Sequence, residues 1–308
     1  MTRRGFSLPE LLIAIALAGT AGAFMIGTLV RQQRFYASAS ALLENRAQLR
    51  DAADVLATDI RGAAVGLLGI PLMRDSAIEM FTTIVASVVC SSPDAASISL
   101  PPSRLESGVT LTSMLAAPDD DDIALVFSFP PGRPDSGQWE VLPVSSFVSR
   151  SVASACPPAS GFTSPGDAST GASAFVATLE SEPMYPFSVG SPVHFVRRGR
   201  YSLYRSSDSR WYLGYRRCSA DGTSACATIQ PVSGPYENYS AIDGSGLGFR
   251  YLGSDGLEIA NGGDSRLVAR IDVVLRGRRA HSADLAGDSR QPYRDSVVVS
   301  VSPRNRLR

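Results

Sequence analysis

The sequence predicts an α+β protein in which one long N-terminal helix packs on an antiparallel β-sheet head. Three observations lead to this prediction. An apolar N-terminal segment continues without a break into an amphipathic pattern, the second half of the chain alternates as β-strands do, and turn residues separate those strands. With 308 residues, 44% of them hydrophobic, the chain is long enough to enclose a sizeable core.

The first half of the helix, residues 6–30, is expected to cross a membrane. Residues 11–30 contain no charged side chain. Twenty helical residues rise about 30 Å, which matches the hydrocarbon core of a bilayer. Glu10 stands at the start of this segment, and a charged side chain deep in a bilayer costs about 2.5–3.5 kcal/mol. This cost indicates that Glu10 has a function, and its negative charge predicts a cationic partner.

The second half of the helix, residues 31–63, is expected to be amphipathic. Residues 31–61 contain neither Gly nor Pro. Apolar side chains recur at steps of three and four from Phe35 to Ile60, with Arg46 as an interruption. This pattern predicts that the second half packs on the head, residues 64–308.

The strands of the head are predicted most clearly after residue 190. Residues 193–196 and 201–205 flank four residues, Arg-Arg-Gly-Arg, which we interpret as the turn of a hairpin. Earlier in the chain, alternation and β-branched composition favour strands over 77–90 and 123–129. Further strands are predicted over residues 211–217, 247–252, 267–275 and 296–301.

Charged and polar segments of the head are interpreted as solvated. Residues 119–122 are four consecutive Asp, and they predict an exposed loop because calcium loops need spaced ligands and a turn glycine. The arginine clusters at 197–200, 216–217 and 276–279 are interpreted as solvated turns and strand ends, and the alternative is that they bind an acidic partner or DNA. Residues 157–174 predict an exposed loop. The net charge is zero, so nucleic acid is not an expected partner.

The four cysteines predict disulfides in an exported head. Cys218 and Cys226 flank a turn-rich loop, and four cysteines allow three pairings. Proximity favours Cys218 with Cys226, which leaves Cys90 to pair with Cys156. No metal and no cofactor are expected, because the cysteine spacing is not that of a zinc site and the two histidines lie far from it.

Residues 3–12, RRGFSLPELL, resemble the processing site of type IV prepilins and type II secretion pseudopilins. The resemblance implies that residues 1–5 are a basic leader. It implies that a membrane-embedded prepilin peptidase cuts between Gly5 and Phe6 and methylates the new amino group of Phe6. It also implies that Glu10 acts in assembly, where its carboxylate pairs with that amino group.

The order of the later elements also resembles one branch of this superfamily. A long helix reaching Arg61, a strand at 249–252 before a glycine turn, and a final Val-Val-Ser-Val strand are similar to PilW-type minor pilins and J-type pseudopilins. Residues 64–190 have no counterpart in this resemblance and enlarge the head.

The resemblance implies a filament subunit without catalytic activity. Its partners would be the prepilin peptidase, other major and minor pilins, and the inner-membrane assembly platform. Before assembly the chain would cross the inner membrane once with its head in the periplasm, and afterwards it would lie in the pilus or pseudopilus.

An exported binding or enzymatic domain with a cleaved Sec or Tat signal peptide is the alternative. Arg3 and Arg4 form a twin-arginine pair, and Ala21-Gly22-Ala23 has the form of a signal-peptidase site. The apolar run continues to Val30, past that site, which favours the prepilin interpretation. The sequence contains no G-x-S-x-G, P-loop or H-E-x-x-H motif, so no enzymatic activity is expected.

Overall fold

The computed structural model describes residues 8–130, 132–133, 136–240, 244–278 and 294–304. The predicted cleavage site between Gly5 and Phe6 lies outside these ranges. Within them the protein is α+β, with one long N-terminal helix and an open antiparallel sheet. The predicted fold class is therefore confirmed.

Helix α1 spans Leu8–Arg61, 54 residues without a break. Its ends carry charges that suit the helix dipole, with Glu10 in the first turn and Arg61 in the last. Pro9 is tolerated because a residue in the first turn has no helical partner for its N–H. Gly62 follows the last helical residue, as the absence of Gly and Pro from residues 31–61 predicts.

Within the described residues the remaining elements are two 3-10 helices, Pro158–Ser160 and Ser265–Leu267, three short α-helices and fourteen strands. The α-helices are α2 (Val65–Leu68), α3 (Val152–Ala155) and α4 (Pro165–Ser169). The strands are β1 (Leu72–Met73), β2 (Ala77–Val88), β3 (Ser91–Asp94), β4 (Ser97–Leu100), β5 (Ser113–Met114), β6 (Ile123–Ser128), β7 (Gln138–Ser151), β8 (Ser173–Leu179), β9 (Pro192–Arg205), β10 (Trp211–Arg217), β11 (Gln230–Tyr236), β12 (Leu247–Leu252), β13 (Arg270–Arg278) and β14 (Arg294–Val301).

Every strand pair described is antiparallel. The main order is β12-β13-β11-β10-β9-β6-β7-β8-β4-β3. Strand β14 pairs with β13, and β2 pairs with β1, β5 and β9. Strand β9 is therefore central, because β2, β6 and β10 all hydrogen-bond to it.

The main core lies between the second half of α1 and the sheet. Leu56 and Ile60 are completely buried against side chains such as Ile271, Val273 and Leu275, which alternate along β13 as predicted. Fully burying one such side chain stabilises the fold by about 1.5–3 kcal/mol. This packing holds the helix to the head.

The enlarged region 64–190 contributes a second core. Strands β4, β6, β7 and β8 and the central strand β9 enclose it, and its buried members include Ile98, Val126, Leu142, Ala177 and Phe195. A smaller cluster surrounds Cys90 and Cys156. The enlargement thus has an apolar interior of its own beside the helix-packed part.

The predicted hairpin around residues 197–200 is wrong, because Pro192–Arg205 is one continuous strand. Arg198 and Arg200 stay in the sheet since both pair with Glu79 on the neighbouring strand β2. Gly199 is required there, because a Cβ at this position would lie 2.4 Å from the ring of Tyr215. The arginine run therefore lies in the middle of the sheet.

Residues 157–174 are also more ordered than the predicted exposed loop. Helix α4 begins with a capping box in which Ser164 and Asp167 exchange hydrogen bonds with each other's backbone N–H. Asp167 is buried and also accepts a hydrogen bond from the backbone N–H of Glu106. The bonds from Glu106 and Ser164 hold the pKa of Asp167 below its ordinary value.

Candidate membrane anchor and assembly helix

The first half of α1, from residue 8 to residue 30, is exposed almost throughout in the described structure. Its most apolar 18-residue window has a mean hydropathy of 2.0, and none of that window is buried. Phe24 is 79% exposed and Leu8 is 74% exposed. A continuous apolar surface of this size requires a lipid or protein environment. The helix is long and apolar enough to cross a membrane, and it fits a membrane anchor.

Glu10 lies on the exposed surface of the first helical turn. The positive end of the helix dipole favours a carboxylate at this position. The amino group of Phe6, its predicted partner, lies outside the described residues.

Three glycines mark the apolar half of the helix. At Gly19, Gly22 and Gly27 an added Cβ would meet no atom within 4 Å, so each position opens to the surroundings. Small residues let a second helix approach closely in an apolar environment. This surface suits contact with other helices.

Residues 31–44 form an exposed connector between the apolar half and the head. Phe35 is 52% exposed and Leu43 is 66% exposed, and burial of α1 begins at Asn45. The predicted packing stripe therefore reaches the head later than Phe35. At 1.5 Å per residue the connector is about 21 Å long.

Contacts at both ends of the segment that packs on the head, residues 45–61, fix α1 to the head. At the start, Arg46 Nε donates to Asp295 Oδ2 at 2.6 Å. Gly277 packs directly on Asn45, since a Cβ at residue 277 would come within 2.4 Å of the Asn45 side chain. At the far end, the Arg304 N–H donates to the carbonyl oxygen of Arg61 at 3.0 Å.

Asp59 joins the last turns of α1 to the central strand. It accepts a hydrogen bond from the hydroxyl of Tyr201 on β9. Burial raises the pKa of Asp59 above its ordinary value, although the bond from Tyr201 lowers it. Burial likewise raises the pKa of Tyr201, so its hydroxyl stays protonated and remains a donor.

Both favoured cysteine pairs are joined in the structure. Cys218 is bonded to Cys226 across a Cα–Cα distance of 4.1 Å, and Cys90 to Cys156 across 5.6 Å. Disulfides form and persist in oxidising compartments. They indicate a head that lies in an oxidising periplasmic or extracellular space.

Protein recovered from the envelope should therefore contain no alkylatable thiol until it is reduced. Blocking with iodoacetamide before and after reduction, followed by peptide mass spectrometry, measures each cysteine separately. Replacing Cys90 and Cys156 together with Ser should cost about 2–5 kcal/mol of unfolding free energy. Free thiols at these positions in the untreated protein would contradict the assignment of the compartment.

The run of four aspartates is only partly solvated, so the predicted exposed loop is wrong at its end. Asp122 is completely buried, and Arg197 donates to it through Nε at 2.9 Å and Nη2 at 2.6 Å. Arg217 lies 3.6 Å from Asp122 and also pairs with Asp119. These arginines, predicted to be solvated, are instead partners of buried or half-buried carboxylates.

The hydrogen bond from Arg217 holds the pKa of Asp119 below its ordinary value. The stability from this pair is therefore present above the ordinary pKa of Asp and is lost as the pH falls through the lowered pKa. Asp119 is 40% exposed, so solvent screening keeps this contribution small.

A second charged cluster surrounds Glu79, which is 1% exposed. Arg198 and Arg200 each donate from Nε to its carboxylate, at 2.6 Å and 2.7 Å. Arg198 also donates through Nη1 to the carbonyl oxygen of Ser219 at 3.3 Å, next to Cys218. The cluster therefore ties the small disulfide loop to the sheet.

Two groups of described side chains come close enough to hold a metal ion, Glu79 with Cys218 and Cys226, and residues 119–121. Both groups are already engaged. The two sulfurs are bonded to each other, and Glu79 and Asp119 pair with arginines. Their chemistry does not favour a metal, and the expectation of no cofactor stays a prediction.

His194 lies on the central strand β9, half-buried beside the ring of Trp139 at a centroid distance of 5.4 Å. Burial lowers its pKa, so the imidazole is neutral at pH 7. Its Nδ1 has no hydrogen-bond partner within the described residues. The arrangement is that of a core histidine.

The described residues thus form an α+β protein with an apolar N-terminal helix that fits a membrane anchor and a disulfide-bonded head. This architecture is compatible with a pilin-like fold. Compared with known protein families, curated proteins and solved structures, the chain has no match in any of the three.

Proposed function

We propose that the chain is a minor pilin or pseudopilin, a subunit of a type IV pilus or related secretion filament with no catalytic activity of its own. The observation that carries this proposal is the continuous helix Leu8–Arg61, exposed and apolar in its first half and packed on the sheet from Asn45 onward. The sequence motif at residues 3–12, which overlaps the start of that helix, supports the proposal because it resembles a prepilin processing site.

In this proposal the basic leader holds the N-terminus on the cytoplasmic side of the inner membrane. The prepilin peptidase removes residues 1–5 and methylates Phe6, which leaves an ammonium group at the start of an apolar helix. An opposite charge at about 4 Å attracts that group by about 4 kcal/mol at an effective dielectric constant near 20. The Glu10 carboxylate of this subunit or of a neighbour supplies that charge.

The assembly platform then moves the helix from the lipid into a filament. The apolar half needs an apolar environment both in the membrane and in the filament. In the filament, the helices of other major and minor pilins provide that environment. The glycines of this half allow those helices to approach. The head remains outside the inner membrane throughout, where its disulfides persist.

The mature chain should begin at N-methylated Phe6, because Gly5 is the small, flexible residue between the leader and the helix. Mass spectrometry of the intact N-terminal peptide measures this directly. Replacing Gly5 with Leu should leave the whole precursor in the membrane, whereas Thr2→Ala should be processed normally. A mature terminus at Phe24 would instead support an exported domain with a cleaved signal peptide.

A further inference from the structure

A groove of 510 Å³ opens on the head where strand β2 begins. Arg74, Arg200 and Arg216 line it and come from three separate segments of the chain. Trp211 and Tyr239 add aromatic surface. No Asp or Glu is among the described residues that line this arginine groove.

The positive charge of the arginine groove is not balanced within the described part of the head. Arg200 shares one carboxylate, that of Glu79, with Arg198, so two guanidinium groups face a single negative charge. Arg74 and Arg216 make no ion pair with any described residue. The pairing with Glu79 holds Arg200 in place, while 38% of its side chain stays exposed.

At the groove, one edge of the central strand is not paired with any described strand. Strand β9 pairs with β2 as far as Ser202, which lies opposite Ala77, and then continues to Arg205. Past Ser202 the only described neighbour of β9 is β10. Beyond Ser202 no described strand pairs with β9 on the side opposite β10, and Leu203 lines the groove there. An extended peptide can hydrogen-bond to such an edge.

We propose that the arginine groove binds an acidic, extended segment of a partner protein. The main chain of the segment pairs with the free edge of β9 beyond Ser202, and its carboxylates bind Arg74 and Arg216. Guanidinium groups bind carboxylates through two parallel hydrogen bonds, which gives both affinity and orientation. A single-stranded nucleic acid would use the same arginines and Trp211, but it cannot pair with a strand edge.

The test measures binding of a fluorescent eight-residue peptide of alternating Glu and Val to the full chain in detergent micelles. The same peptide with alternate backbone nitrogens methylated tests strand pairing, because methylation removes the N–H donors. A Lys–Val peptide tests the charge, and an eight-residue oligothymidylate tests nucleic acid. The double variant Arg74→Gln/Arg216→Gln removes the groove charge, and Arg150→Gln, an exposed arginine on β7, is the matched control.

The acidic peptide should bind with an affinity that falls as salt increases. The double variant and the methylated peptide should each weaken binding at least tenfold, while Arg150→Gln changes it less than twofold. Equal binding by the wild type and the double variant would overturn the proposal, as would an unaffected methylated peptide. Binding of the oligonucleotide in preference to the peptide would overturn the choice of partner. None of these outcomes depends on the function of the N-terminal helix.

Discussion

Glu10→Ala should abolish incorporation into filaments while membrane insertion and cleavage after Gly5 remain intact. Insertion is expected to improve, because the substitution removes the one carboxylate from an apolar segment. In the filament the ammonium group of Phe6 would be buried without its partner. Removing one member of a buried ion pair costs about 3–5 kcal/mol, a loss of about 100-fold or more in the assembly equilibrium.

The experiment expresses the variant with the other filament components and measures its amount in sheared surface filaments. Glu10→Gln separates charge from size and should fail as the alanine variant does. Glu44→Ala, on the exposed connector of the same helix, should assemble normally. Normal incorporation of cleaved Glu10→Ala protein would contradict the ion-pair mechanism, although the filament assignment would survive.

Asp122→Asn should destabilise the folded head by about 3–5 kcal/mol, because Arg197 and Arg217 would keep their mostly buried guanidinium groups without the central carboxylate. Chemical denaturation of the purified full chain in detergent measures the change. Asp121→Asn is the matched control from the same acidic run.

Asp121 is 55% exposed and 3.8 Å from Arg217, so its loss should cost less than about 1 kcal/mol. Equal losses of stability in the two variants would show that the burial of Asp122 does not determine its contribution to stability. A variant in which both Asp122 and Arg197 are replaced by apolar residues should recover part of the loss, since a buried charge without a partner is the costly state.

The features that depend on local pattern could be predicted from the sequence. Helix α1 follows from an apolar run joined to a breaker-free segment, and β13 follows from the alternation of Ile271, Val273 and Leu275. The favoured cysteine pairs also formed. The helix and the strand follow from the pattern of side chains within one segment. The disulfides could be predicted because four cysteines allow only three pairings.

The features that were missed depend on partners far away in the sequence. Arg198 pairs with Glu79, 119 residues earlier, and Arg197 pairs with Asp122, 75 residues earlier. A run of charges resembles a solvated turn until its counter-charges are known. One local signal was present, because the four aspartates lead directly into the buried strand that begins at Ile123.

Because the connector is helical without a break, a tilt of the membrane half displaces the head sideways. From Val30 to Arg61 the helix extends about 46 Å beyond the apolar half, and residues 31–61 contain no Gly or Pro at which it could bend. If the membrane half tilts by about 20°, a common value for such helices, Arg61 moves sideways by about 16 Å. Tilt changes with bilayer thickness, so the thickness of the surrounding lipid would set how far to one side the head stands.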